Sequence, residues 1–181
     1  IRLSLVGSEM CIRDSPNEGD WLHTNAIAYN SDLDQIVFSS KHFNEIFIID
    51  HSTTILEASG HYGGNSNRGG DILYRWGKPA NYGRGNSSDQ KLNAQHGVHW
   101  IPLGYPGAGK LLIFNNNPSD TLSNNNQFGN SSVVELLPPI NTEGNYLLTA
   151  DSVYAPENFD LIFGNDAVSY THLRAHETKA N

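Results

Sequence analysis

The same order of short segments occurs twice along this chain. The first series reads HTNAIAY, QIVFSS, EIFIID and DILYRWG, and the second reads HGVHWIP, KLLIFNN, SVVELL and NYLLTA. Each segment is rich in β-branched or aromatic residues and is flanked by Asn, Asp, Gly or Ser, which is typical of strands separated by turns. The histidines that open the two series, His23 and His96, lie 73 positions apart.

This repeat constrains the fold more than any other feature. A sheet of four short strands cannot bury its faces alone, so repeated sheets stack against their neighbours. The pattern therefore predicts an all-β chain that contains about two four-stranded blades of a β-propeller.

Charge and hydropathy exclude some classes of function. The chain has 19 acidic and 11 basic residues, for a net charge of −8. This balance disfavours a nucleic-acid partner, whose phosphates need clustered Lys and Arg. No run of about 18 apolar residues predicts a membrane span. The only cysteine is Cys11, so no disulfide is predicted within the chain.

Both ends of the chain look foreign to this pattern. A DNA sequence that encodes residues 5–15 encodes residues 168–177 on its complementary strand, and that DNA is similar to an adapter used in transposase-based sequencing. We therefore predict adapter-derived tails at residues 1–15 and 168–181, and a partial propeller domain at residues 16–167. His172 and His176 have the helical spacing of a metal pair. Their place in such a tail argues against a metal site.

One stretch has the spacing of a phosphate-binding loop but lacks the residues that must follow it. The stretch GYPGAGK, residues 104–110, fits the spacing of a phosphate-binding loop. Such a loop needs Ser or Thr next and then a helix, whereas Leu111 follows and opens a strand-like segment. We predict instead a hairpin turn between Ile101 and Leu111.

His23 and His96 are the candidate catalytic residues, because each opens the first strand of its unit. If the first strand is innermost, as in propellers generally, both imidazoles reach the mouth of the central channel. Such a pair suits proton transfer near neutral pH or the binding of an anion. The alternative is that each histidine is a hydrogen-bonded polar plug. His99 lies three positions from His96, so the two point to opposite faces of one strand.

Two other histidines, His42 and His51, are predicted to be structural. His42 and His51 lie at strand ends, where imidazoles commonly complete turn hydrogen bonds, and His61 lies in a glycine-rich loop without an obvious partner. We therefore expect His23 and His96 to lie closer to each other than either lies to His42 or His51.

Three longer stretches resemble a known family. They are DWLHTNAIAYNSDLDQIVFSSKHFNEIFIIDHS, GGDILYRWGKP and QHGVHWIPLGYPGAGKLLIFNNN. Together they resemble the bacterial PAPS-independent aryl-sulfate sulfotransferases over most of residues 19–117, and more weakly to residue 163. The resemblance implies a six-bladed propeller exported to the periplasm. It also implies transfer of a sulfuryl group from a phenolic sulfate ester to a phenol, through a sulfated histidine and without a cofactor or a metal.

The resemblance carries over to single residues. His23 in DWLH and His96 in QH match two active-site histidines of the family, which are expected to bind sulfuryl oxygens and handle the phenol proton. The sulfated nucleophile is expected from a later blade, so the chain as given should have no sulfotransferase activity. The family also has an arginine shortly after the strand that ends here in FNNN, where this chain has no basic residue. Arg84 is the candidate substitute, and His99 is a second candidate for substrate binding.

Two hypotheses stay open. The first is an arylsulfotransferase, with His23 and His96 as supporting catalytic groups and small phenols and their sulfates as partners. The second is a non-catalytic propeller that binds a ligand or a protein, which the missing arginine favours. A quinone-dependent dehydrogenase is a weaker third reading, because no metal-ligand cluster supports it. The sequence does not specify the sulfate donor, the acceptor or the oligomeric state.

Overall fold

The computed structural model describes residues 20–116, 131–148 and 152–165. Within these ranges no helix is long and apolar enough to cross a membrane. The predicted tails, with His172 and His176, lie outside the described residues. The elements in chain order are β1 (Thr24–Asn30), β2 (Gln35–Ser40), β3 (Glu45–Asp50), α1 (Ile55–Ala58), β4 (Ile72–Trp76), two 3₁₀ turns (Pro79–Tyr82 and Ser87–Asp89), β5 (His96–Trp100), β6 (Leu111–Asn115), β7 (Ser131–Leu136) and β8 (Asp160–Asn165).

The strands form two antiparallel four-stranded sheets in simple sequential order. The first sheet is β1-β2-β3-β4 and the second is β5-β6-β7-β8. Val37 of β2 pairs with Ile48 of β3, and Ile113 of β6 pairs with Val134 of β7, so each sheet has apolar residues at its centre. The all-β prediction is confirmed, and each sheet has the form of a propeller blade. The total of six blades stays a prediction.

Asparagine residues shape the turns of the first sheet. Asn30 ends β1, and its side-chain oxygen accepts hydrogen bonds from the backbone N–H groups of Asp32 and Leu33, both at 3.0 Å. Asn44 ends the turn between β2 and β3 with φ of 56°, a left-handed conformation that asparagine tolerates better than most residues. Its N–H donates to the Lys41 carbonyl at 3.1 Å. These local bonds fix the register of the hairpins.

The stretch with phosphate-loop spacing is a hairpin turn, as predicted. The Ile101 N–H donates to the Lys110 carbonyl at 2.8 Å, and the Gly109 N–H donates to the Ile101 carbonyl at 3.0 Å. The Lys110 ammonium pairs with the carboxylates of Glu135 and Asp160 on the neighbouring strands. The lysine therefore stabilises the second sheet.

One apolar core lies between the two sheets and joins them. Strand β1 packs beside β5. At the outer strand of the first sheet, the Tyr74 hydroxyl donates to the Ala155 carbonyl at 2.6 Å and the Trp76 indole N–H donates to the Pro156 carbonyl at 2.9 Å. The buried apolar residues of this core are Val37, Ile46, Ile48, Leu73, Tyr74, Trp76, Leu92, Val98, Trp100, Leu111, Ile113, Val134, Leu136, Tyr146 and Tyr154.

The predicted position of the fourth strand in the second sheet was wrong. We predicted a strand at NYLLTA, residues 145–150, but β8 is formed by Asp160–Asn165. In the described part of that segment, Tyr146 makes only an isolated bridge with Ile140. The Tyr146 ring packs 5.0 Å from the Tyr74 ring, and its hydroxyl donates to the Gln35 side chain at 2.7 Å. The aromatic side chain of Tyr146, which made the segment resemble a strand, fills the space between the two sheets.

Candidate functional site

Three chain segments meet at one end of the two sheets. The first is the entry to β1, which carries His23, and the second is the turn between β2 and β3, which carries Lys41 and His42. Antiparallel pairing places this turn beside the start of β1, where Thr24 pairs with Ser40. The third segment is the start of β5 with His96, which reaches the same place because β5 packs against β1 and β2.

His23 is held in an uncommon backbone conformation at the centre of this group. Its φ of 46° lies in the left-handed region, which costs a non-glycine residue free energy and is often found at functional sites. Its carbonyl accepts a hydrogen bond from the Lys41 N–H at 3.1 Å. Its ring nitrogen Nδ1 contacts Oδ2 of Asp20. This hydrogen bond lowers the pKa of the Asp20 carboxyl, so the carboxylate is ionised and directs the Nδ1 proton of His23 toward itself.

His96 is more deeply buried, with only 7% of its surface exposed. Its Nδ1 lies 3.0 Å from the Ala94 carbonyl oxygen and 2.8 Å from the amide nitrogen of Asn116. A carbonyl only accepts and an amide nitrogen only donates, so Nδ1 has a partner whether or not it carries a proton. Burial lowers the pKa of His96 and the bond to the Ala94 carbonyl opposes this, while the charge of Lys41, and that of His23 in its protonated form, lower it further. The imidazole is therefore neutral near pH 7.

The imidazole rings lie within reach of one another. The centroid of the His23 ring is 6.1 Å from that of His96 and 5.2 Å from that of His42. A small anion between these rings would meet several potential N–H donors, with the Lys41 ammonium adding positive charge to the neighbourhood. Such donors stabilise negative charge that develops on oxygen atoms during group transfer.

Gln95 fixes this arrangement from within the seam between the sheets. It is fully buried, and its amide nitrogen lies 3.1 Å from the Ser39 hydroxyl and 2.9 Å from the carbonyl oxygens of both Ser40 and Glu45. The side-chain amide of Asn25 in turn donates to the backbone carbonyl of Gln95 at 2.8 Å. These bonds tie the residue before His96 to strands β1, β2 and β3.

Comparison with known protein families adds one result. The family model for arylsulfotransferase (ASST) matches residues 10–136. This chain belongs to the arylsulfotransferase family. No curated protein and no solved structure gives a significant match. The family resemblance predicted from the sequence is confirmed, and with it membership of a family of sulfotransferase enzymes. The matched residues include both His23 and His96.

The structure brings His23 and His96 of this arylsulfotransferase chain together, as expected from the repeat. The expected order of distances was wrong, since His42 lies closer to His23 than His96 does. The position of His42 at a strand end predicts a structural role, which does not reveal this approach to His23. The strand order could have indicated it, because the turn between β2 and β3 must return to the end of the sheet where β1 begins.

Asp20 is the second residue of the site that the sequence did not reveal. It lies outside any strand and contacts the ring of His23, whose backbone has the left-handed conformation. The spacing of three positions in the sequence DWLH is common in loops and carries no signal by itself.

Arg84 and His99 stay predictions for substrate binding. Arg84 is half-buried and follows the first 3₁₀ turn, where its N–H donates to the Pro79 carbonyl at 3.2 Å. His99 is exposed, with Nδ1 2.8 Å from the Gly97 carbonyl oxygen, while His96 is buried. This difference agrees with the predicted opposite faces. Lys41 is an alternative cation to Arg84, because its charge already acts on His96.

Two further histidines pair with carboxylates away from the site. His51 Nδ1 lies 2.7 Å from Oδ1 of Asp34 at the opposite end of the first sheet, which confirms its predicted role in a turn. His61 Nδ1 lies 2.6 Å from Oδ1 of Asp71, a partner that is not obvious from the sequence. The glycine-rich loop folds back on itself and brings Asp71 to it.

Proposed function

We propose that this protein transfers a sulfuryl group from a phenolic sulfate ester to a phenol, without PAPS. The observation that carries the proposal is the meeting of His23 and His96, from the first strands of two adjacent blades, in a chain of the arylsulfotransferase family. Each first strand supplies one imidazole to the same end of the sheets. The proposed setting is the periplasm, which is typical of the family.

The proposed reaction proceeds in two transfers. A histidine nitrogen attacks the sulfur atom, and the bond between sulfur and the aryl oxygen breaks to release a phenoxide, which takes up a proton. The oxygen of the acceptor phenol then attacks the same sulfur, loses its proton and restores the histidine. We assign the nucleophilic histidine to a later blade, as the family resemblance implies.

The described residues would support both transfers. His96 is neutral near pH 7, so its unprotonated nitrogen can take the proton of the acceptor phenol as a general base. His23, whose Nδ1 is bonded to Asp20, can donate a hydrogen bond from Nε2 to a sulfuryl oxygen when its ring is doubly protonated. Lys41 would contribute positive charge in place of the arginine that the family has after the strand matching β6.

The test is the release of a coloured phenol from an aryl sulfate, with and without an acceptor phenol, by the complete protein. Replacing His96→Asn should lower the rate by a factor of about 10² to 10⁴, the usual effect of losing an acid–base or charge-stabilising group. His51→Asn is the matched control, because His51 also contacts a carboxylate but lies at the other end of the first sheet. Its rate should stay near that of the unchanged protein.

A non-catalytic binding propeller is the second candidate function. The observation that favours it is the absence of Lys and Arg from residues 115–132, where the family has its arginine. A well-folded complete protein without transferase activity, or equal losses for His96→Asn and His51→Asn, would favour this candidate over the enzyme.

A further inference from the structure

Asp20, His23 and His42 together offer the donor atoms of a metal site, which sulfuryl transfer does not require. Each offers one ligand atom, and these three atoms all lie within 4.8 Å of one another. Two imidazole nitrogens and one carboxylate oxygen form a common donor set for Zn²⁺, which leaves the fourth position open for water or a substrate.

The geometry of the group allows it to close around an ion. Zinc binds imidazole and carboxylate ligands at about 2.0–2.2 Å, so tetrahedral ligand atoms lie about 3.3–3.6 Å apart. Asp20 and His42 are exposed, and the side chain of His23 is 34% exposed. Rotation of these exposed side chains can lengthen the direct contact of Asp20 with His23 and adjust the other separations to this spacing. The bond between the His23 carbonyl and the Lys41 N–H keeps the two backbone segments together.

A comparison with other histidine–carboxylate pairs in the chain shows how the cluster of Asp20, His23 and His42 differs from them. His51 with Asp34 and His61 with Asp71 are pairs of the same chemistry. Within residues 20–116, 131–148 and 152–165, only the pair of Asp20 and His23 gains a third possible ligand, His42. The ring of His42 reaches it because the turn between β2 and β3 folds over the start of β1.

We propose that Asp20, His23 and His42 bind a divalent transition-metal ion, with Zn²⁺ as the best match to the donor set. Binding engages His23, which the proposed function assigns to the sulfuryl group. Zinc therefore inhibits the transferase, and this consequence rests on the proposed function, whereas the binding itself does not.

The direct test is calorimetric titration of the chain with ZnCl₂. All variants carry His172→Ala and His176→Ala, so that this helically spaced pair in the C-terminal tail adds no second site. We expect one Zn²⁺ per chain, and a Kd weakened at least about tenfold by either His42→Ala or Asp20→Asn. The matched control His51→Ala should bind like the parent. Absence of binding by the folded parent, or a Kd unchanged by both site variants, would overturn the proposal.

A second measurement separates this proposal from the proposed function. In the complete protein, zinc should inhibit aryl sulfate turnover, and His42→Ala should raise the zinc concentration that halves the remaining rate by at least about tenfold. Zinc binding at this site in a protein without transferase activity would support the metal site and contradict the enzyme. An active protein that binds no zinc would support the enzyme and contradict the metal site.

Discussion

Replacement of Gln95 tests whether hydrogen bonds across the seam between the sheets hold the site in place. Leucine has a similar volume and no polar atoms, so Gln95→Leu removes the polar contacts with little change in packing. The acceptors that lose their donor are the Ser39 hydroxyl and the carbonyl oxygens of Ser40 and Glu45. All three lie in the buried part of the first sheet.

The expected loss of stability follows from these contacts. The amide nitrogen of Gln95 has two hydrogens, and each buried acceptor that loses its donor costs about 1–3 kcal/mol. The Gln95 side-chain oxygen has no hydrogen-bond partner among the described residues, so its removal recovers about 1–2 kcal/mol. Two lost donors cost about 2–6 kcal/mol, and after this recovery the net loss in the free energy of unfolding centres on about 2–3 kcal/mol.

Urea unfolding followed by tryptophan fluorescence measures this loss, because Trp76 and Trp100 are buried in the core. Gln90→Leu is the control. The Gln90 amide donates one hydrogen bond, to the Leu92 carbonyl at 2.8 Å, and the residue is only half-buried, so its loss should be about 0.5–1 kcal/mol. Equal losses for the two variants would refute the inference that the Gln95 bonds hold the sheets together.

Three further predictions concern stability. Arg75→Met should lower the free energy of unfolding by about 3–5 kcal/mol, because the fully buried Glu45 carboxylate loses its counter-charge and, among the described residues, keeps only the Asn81 amide. Lys110→Met should cost at most about 1 kcal/mol, and urea titration of both variants tests this. The folded-state pKa of His96 is lowered from 6.5, so stability should fall as pH drops below 6.5 through that pKa, and a pH slope unchanged by His96→Asn would contradict this. Gly77→Ala should lower the melting temperature more than Gly104→Ala, because only the first places a new Cβ against the turn between β2 and β3; equal melting temperatures would contradict it.

Most of the fold could be predicted from the sequence because the strands carry local signals. Short segments rich in β-branched or aromatic residues, bounded by Asn, Asp, Gly or Ser, placed seven of the eight strands in the part of the chain that the structure describes. The eighth was misplaced because Tyr146 and its neighbours have strand-like composition, while their environment is decided by distant residues. Packing against Tyr74 and a hydrogen bond to Gln35 override the local preference of that segment.

The site was less predictable because it depends on the ends of strands. His23 and His96 could be found from their repeated position at the start of each unit. His42 and Asp20 could not be found by local reasoning, since their approach to His23 depends on the turn geometry and on one left-handed residue. A periodic pattern indicates which residues face a core, whereas backbone conformations at strand ends decide which polar groups meet.

The backbone strain at the site explains why so many hydrogen bonds surround it. His23, Asn44 and Ala94 have φ values of 46°, 56° and 51°, and each such conformation costs about 1–3 kcal/mol unless neighbours enforce it. The Lys41 N–H bonds the carbonyl of His23, and the Asn44 side chain accepts from the N–H of Ala94 at 2.8 Å. Each strained residue is thus held by a bond to another segment of the site. The bond between Ala94 and Asn44 links the two sheets, so the backbone positions of the site are set before any ligand binds. The proposed transfer of a charged sulfuryl group would use a preorganised frame of this kind.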